Sequence, residues 1–81
     1  MSAYDYYAEA RAIANDIEAM NLSSYASDIR GAIDRGVTSG EILMEIRWHC
    51  NQLLANHADI SPSLRDRIHQ LIRRIDVAFT R

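Results

Sequence analysis

Eighty-one residues, nearly half of them apolar, make one globular domain and exclude a disordered chain. The formal net charge of −2, with no lysine, argues against nucleic acid as the main ligand, because phosphate binding needs a basic face. No apolar run approaches the roughly 18 residues of a membrane span, and the single cysteine, Cys50, cannot form an internal disulfide.

The spacing predicts a first helix from about Ser2 to Met20. Ser2 is its expected N-cap, with Asp5 in the first turn, where the helix dipole favours a carboxylate. Ala3, Tyr6, Ala10, Ile13, Ala14, Ile17 and Met20 recur at helical spacing as the core stripe. Asp5, Glu9 and Asp16 lie together on a different face. Asn21 can adopt a left-handed conformation and end the helix.

A second, shorter helix is expected from a cap at Ser23 or Ser24 to Gly36, a natural residue for a left-handed stop. Tyr25, Ile29, Ala32 and Ile33 form its inner face. Arg30 and Asp34 are four apart and can pair. Gly31 weakens the helix interior by roughly 1 kcal/mol relative to alanine, and its simplest explanation is close packing against a neighbour.

The third helix is the most apolar, running from Thr38 to about Asn56. Thr38 and Glu41 have capping-box spacing, in which each side chain satisfies a backbone N–H of the other residue. Ile42, Leu43, Ile46, Cys50, Leu53 and Leu54 fall on one side; Glu41, Glu45, Trp48 and Gln52 fall on the other. The fourth helix begins at Ser61-Pro62, an N-cap followed by proline at the first helical position, and runs almost to the end of the sequence. Leu64, Ile68, Leu71, Ile72, Ile75 and Phe79 are its core stripe, and Arg67, Arg74 and Arg81 lie along one edge.

No stretch shows strand periodicity. Short connections make sequential helices antiparallel neighbours. The expected fold is therefore all-α, a compact up-down-up-down four-helix bundle spanning residues 1–81 as one domain. Charge is divided unevenly within it. Residues 62–81 hold five arginines and two aspartates, a sum of +3; the rest hold nine acids and four arginines, a sum of −5.

No catalytic motif is present. His49, Cys50, His57 and His69 lack C-x-x-C or H-x-x-x-H spacing, so no metal is expected. Cys50 sits at a core position, as a small hydrophobe does. Glu41 and Glu45 are one turn apart on an exposed face, where neither carboxyl gains the desolvation that a general acid needs. Neither enzyme chemistry nor a cofactor is expected. The arginine edge is expected to pair with Asp5, Glu9, Asp16 or Glu18 of the first helix.

Trp48 has two readings. Another helix covers it, or it is an exposed anchor ringed by Glu41, Glu45 and Gln52. Tryptophan is enriched at interface hot spots, and carboxylates around it would steer a basic partner.

The segment Ser39-Gly-Glu-Ile-Leu-Met-Glu-Ile-Arg-Trp-His49, following Asp34-Arg-Gly-Val-Thr38, resembles small immunity proteins of bacterial contact-dependent growth inhibition and related polymorphic toxin systems. Those proteins often carry a similar T-x-x-E-I-L-M-x-x-R-W segment in a helical domain of similar length. The likeness extends loosely to Leu71-Ile-Arg-Arg-Ile-Asp76. The resemblance implies a cytoplasmic protein that binds the C-terminal toxin domain of a large secreted effector, commonly a nuclease, and occludes its active site.

With no basic and apolar leader in Met-Ser-Ala-Tyr-Asp-Tyr-Tyr, no signal peptide is expected and a reducing cytoplasm is the expected compartment. The expected partner-binding residues are Glu41, Glu45, Trp48 and Gln52, with Asp5, Glu9 and Asp16 as a second acidic patch. A monomer joined to a toxin domain in a heterodimer is expected, with no nucleic acid and no membrane partner. The alternative is a homo-oligomeric helical module in which the same face pairs with itself.

Overall fold

A computed structural model of the chain describes residues 4–80. They form four α-helices: α1 (Tyr6–Ala19), α2 (Ser23–Arg35), α3 (Ser39–Asn56) and α4 (Pro62–Phe79). Helix α1 packs on α2, α2 on α3, α3 on α4, and α4 returns to α1. The radius of gyration is 12.0 Å, close to the ~12 Å expected of a folded chain this long. The four helices thus close on one another without an extended arm.

The core is built from the stripes that the helical period picks out. Ala10, Ile13, Ala14 and Ile17 come from α1, and Ala26, Ile29 and Ala32 from α2. Helix α3 gives Ile42, Leu43, Ile46, Cys50 and Leu53; α4 gives Leu64, Ile68, Leu71 and Ile75. Ile60, in the last connection, closes one end. Each fully buried large aliphatic side chain contributes ~1.5–3 kcal/mol of transfer free energy. Alanines on α1 and α2 let those two helices approach closely. Met20 and Phe79, expected in the stripes, lie on the surface instead. Both stand at helix ends: Met20 is the C-cap of α1, and Phe79 is the last residue of α4.

The helix ends follow backbone accounting, with some differences from expectation. The expected cap Ser2, and Ala3 of the first stripe, lie outside the described residues, as does Arg81. Helix α1 starts later, and Asp5 is itself the N-cap, accepting a 3.0 Å hydrogen bond from the Ala8 N–H. At the other end Asn21 has φ 65°. Its N–H donates to the Glu18 carbonyl (3.0 Å), and the Leu22 N–H donates to the Ile17 carbonyl (3.2 Å). This is a Schellman stop, completed by Leu22 packing on the core.

That stop also changes the next start. The chain leaves α1 so directly that Leu22, not a serine, is the N-cap of α2, and no side chain caps it. Ser61 caps α4 through the Leu64 N–H (3.3 Å), with Pro62 at the start as expected. Thr38 caps α3 by accepting from the Glu41 N–H (3.2 Å). The reciprocal bond differs from the expected one: the Glu41 carboxylate accepts from the Thr38 hydroxyl at 3.2 Å.

Two glycines part company. Gly36 ends α2 in an extended conformation, φ −68° and ψ 145°, and so needs no left-handed freedom. Its requirement is space. A Cβ there would overlap the Ile42 side chain and come within 2.8 Å of the Ala32 carbonyl. Gly31, expected to pack against a neighbouring helix, faces the guanidinium of Arg35 from its own helix, the mobile end of a long side chain. Gly31→Ala should therefore raise stability by about 0.5–1 kcal/mol. Gly36→Ala should lower it by about 1–3 kcal/mol. Urea unfolding of both variants checks the opposed signs.

Candidate functional site

The polar surface is organised at the junctions between helices. At α1–α2, Arg11 reaches Asp34 (2.7 Å), and Arg30 donates to Asn15 (2.6 Å) and Glu18 (2.9 Å). Arg30 thus bridges helices instead of pairing with Asp34 on its own helix as expected. At α3–α4, Arg47 binds Asp76 at 2.6 Å. At α4–α1, Arg67 reaches Glu9 (3.3 Å) and also Asp16. Burial works against the charge of Arg67, but its hydrogen bonds to Asp16 and Glu9 prevail and raise its pKa. Arg74 lies 4.4 Å over the Tyr4 ring.

The α2–α3 junction is different. Among the described residues no arginine–carboxylate pair closes it. His49 Nδ1 stands 4.0 Å from an Asp28 carboxylate oxygen, and Asn56 donates to the Tyr25 hydroxyl at 3.1 Å. Towards the start of α3 this junction opens into a groove of about 710 Å³. Its walls are Arg35, Gly36 and Val37 on one side, and Glu41, Met44, Glu45, Trp48 and His49 on the other.

Trp48 is 57% exposed and is not covered by another helix. Met44 is 47% exposed and Val37 is 87% exposed, so an apolar strip lies open beside the indole. The His49 ring meets Trp48 edge to face, with centroids 5.2 Å apart, and holds one side of the indole in place. Glu41 and Glu45 are exposed on the same helix. Gln52 is half-buried one turn beyond Trp48 and does not line the groove.

The second acidic set is placed differently. Glu9 and Asp16 are brought together, but by Arg67, and Asp5 is occupied in capping α1. Asp5 also borders a separate cleft of about 420 Å³, with Tyr4, Tyr6, Tyr7, Ser39 and Leu43. Sequence reasoning missed Arg35 and Val37. The signal was available in Arg35-Gly-Val-Thr38, where a charge and a branched apolar residue flank a helix stop with no core position to fill.

The groove has the makings of a recognition surface. It combines an aromatic, apolar neighbours and carboxylates at the rim. No three His, Cys, Asp or Glu side chains among the described residues group as a metal site. No helix there is long and apolar enough to cross a membrane. Cys50 is buried, and burial pushes its thiol up to about 12 from 9.0. A thiol held protonated in the core is a packing group, not a nucleophile.

Cys50 also makes a pH prediction. Well below its ordinary value of 9.0 the thiol is protonated in both states and has no effect. As pH rises from there towards 12, the unfolded chain gives up the proton and the folded chain does not, so stability falls. The slope approaches about 1.4 kcal/mol per pH unit. Between about pH 9 and 10 the native chain should lose about 1 kcal/mol more stability than Cys50→Ala, measured by urea unfolding at each pH.

No family model matches this chain, and the comparisons find no curated protein and no solved structure that is similar to it.

Proposed function

We propose that this chain is an immunity protein that binds and neutralises the C-terminal toxin domain of a contact-dependent growth inhibition effector. A nuclease is the toxin class that its acidic balance fits best, since a nuclease cleft that holds phosphate is basic. It acts by occlusion, without catalysis or cofactor, in the cytoplasm of the producing cell. In this reading the helices form an up-down-up-down bundle, supported by three short connections and by the ring in which each helix packs on the next.

The single observation that carries the proposal is the exposure of Trp48. A lone indole left more than half open beside Met44 and Val37 is costly in water unless something covers it. The resemblance of Thr38–His49 to immunity proteins says what kind of protein that is. Glu41 and Glu45 steer the partner, and Trp48 anchors it. Gln52 extends the same face by one turn. Asp5, Glu9 and Asp16 are secondary, because two of them already hold Arg67.

The test is co-purification with the C-terminal domain of a large secreted protein encoded immediately upstream. The two should form a one-to-one complex in which the toxin domain is inactive. Trp48→Ala should weaken that complex by about 2 kcal/mol or more, roughly thirtyfold, while thermal unfolding of the free variant is unchanged. A folded Trp48→Ala chain that binds as tightly as the native one would remove Trp48 from the interface.

A further inference from the structure

The ends of the groove carry unlike charges, and neither is neutralised among the described residues. Arg35 has no carboxylate within 4.0 Å among the described residues, and Glu45 has no cation. Elsewhere Arg11, Arg30, Arg47 and Arg67 hold carboxylates, Arg65 donates to the Ala58 carbonyl and Arg74 covers Tyr4. Arg73, on α4 away from the groove, has no carboxylate within 4.0 Å among the described residues. Unpaired groups of both signs therefore meet at the one junction that no arginine–carboxylate pair closes.

Glu45 precedes Trp48 by three residues and Glu41 precedes it by seven. At 3.6 residues per turn these side chains leave α3 within about 60° of one another. An exposed indole bordered by carboxylates is the chemistry that holds a guanidinium. The ring face attracts the cation through its quadrupole, and the carboxylate accepts its N–H groups. Arginine suits such a site better than lysine, because its planar group can stack and pair at once. The chain uses half of this arrangement internally, where Arg74 stacks on Tyr4.

Resting on the toxin-binding reading above, we propose that the groove takes a cationic segment of the partner protein, with an arginine seated on the Trp48 indole and paired with Glu45 and Glu41. A neighbouring apolar side chain of that segment covers Val37 and Met44. Arg35 repels positive charge at the α2 end, so it confines the arginine to the Trp48 end and fixes the direction in which the segment lies.

The experiment titrates the upstream-encoded C-terminal domain against native chain and variants by calorimetry, at low and high salt. Trp48→Phe keeps a ring face and should lose only a few-fold in affinity, whereas Trp48→Leu keeps bulk without a face and should lose about tenfold or more. The double variant Glu41→Gln, Glu45→Gln should bind about tenfold more weakly at low salt and lose most of its salt dependence. Arg35→Gln should bind at least as tightly as the native chain. These positions lie outside the core, and circular dichroism checks that each variant is folded.

Equal losses for the phenylalanine and leucine variants, together with native affinity for the double glutamine variant, would overturn this inference while leaving toxin binding intact. Absence of any binding to the native chain would remove both. A concentration-dependent dimer that needs Trp48 would give the groove to a second copy and overturn the inference as well.

Discussion

Among the described residues no polar or charged side chain is buried, and that constraint shapes the rest of the structure. The core is a set of aliphatic stripes, mainly isoleucine, leucine and alanine, with one protonated thiol. Such a core favours collapse strongly but gives few instructions about register, because hydrophobic contact is not directional. The instructions come from the rim. Arg11, Arg30, Arg47 and Arg67 each tie one helix to another, and each such exposed pair stabilises by only about 0–1 kcal/mol. Their value lies in choosing among packings of similar apolar burial. Arg67 shows why arginine suits this work: one guanidinium holds Glu9 and Asp16, two turns apart on α1.

The junction that lacks such a tie is also the one that carries the open groove. Gly36 brings the end of α2 against Ile42, so the chain turns into α3 with no room for a side chain at that point. The tight turn pushes Val37 outward and leaves Arg35 at the groove's edge. Met44 and Trp48, on successive turns of α3, then face water across from them. The clasped junctions and the open groove are thus spatially separate. The α1–α2, α3–α4 and α4–α1 junctions are clasped by arginine–carboxylate pairs, and among the described residues the α2–α3 junction is not.

Much of this was legible in the sequence. The stops and starts at Asn21, Thr38 and Ser61-Pro62 depend on backbone accounting within a few residues, and local chemistry settles them. The core stripes were legible because an apolar period of 3.6 has one sensible use in a short chain. What failed depends on what stands opposite. Gly36 looked like a left-handed stop, since the sequence does not show Ile42 pressed against it. Arg30 looked like a partner for Asp34, since spacing along one helix says nothing of Glu18 on the next. Phe79 continued a stripe, but α4 has run past the core by then, and its ring lies on the surface near Gly40 of α3. For Trp48 the sequence left two readings open, covered by a helix or exposed as an anchor, and the side chain is 57% exposed. A helical wheel gives the direction of a side chain and not whether a neighbour waits there.

Trp48 is the chain's only tryptophan, so tryptophan emission from this chain reports the groove, and a tryptophan-free variant of the partner domain keeps that true in the complex. Acrylamide quenching of that emission, in the free chain and after saturation with the upstream-encoded domain, is the most direct measurement of whether this groove is a binding face. An indole that is readily quenched in the free chain and protected in the complex is the predicted result. An indole already shielded in the free monomer, or one quenched equally in both states, would contradict it.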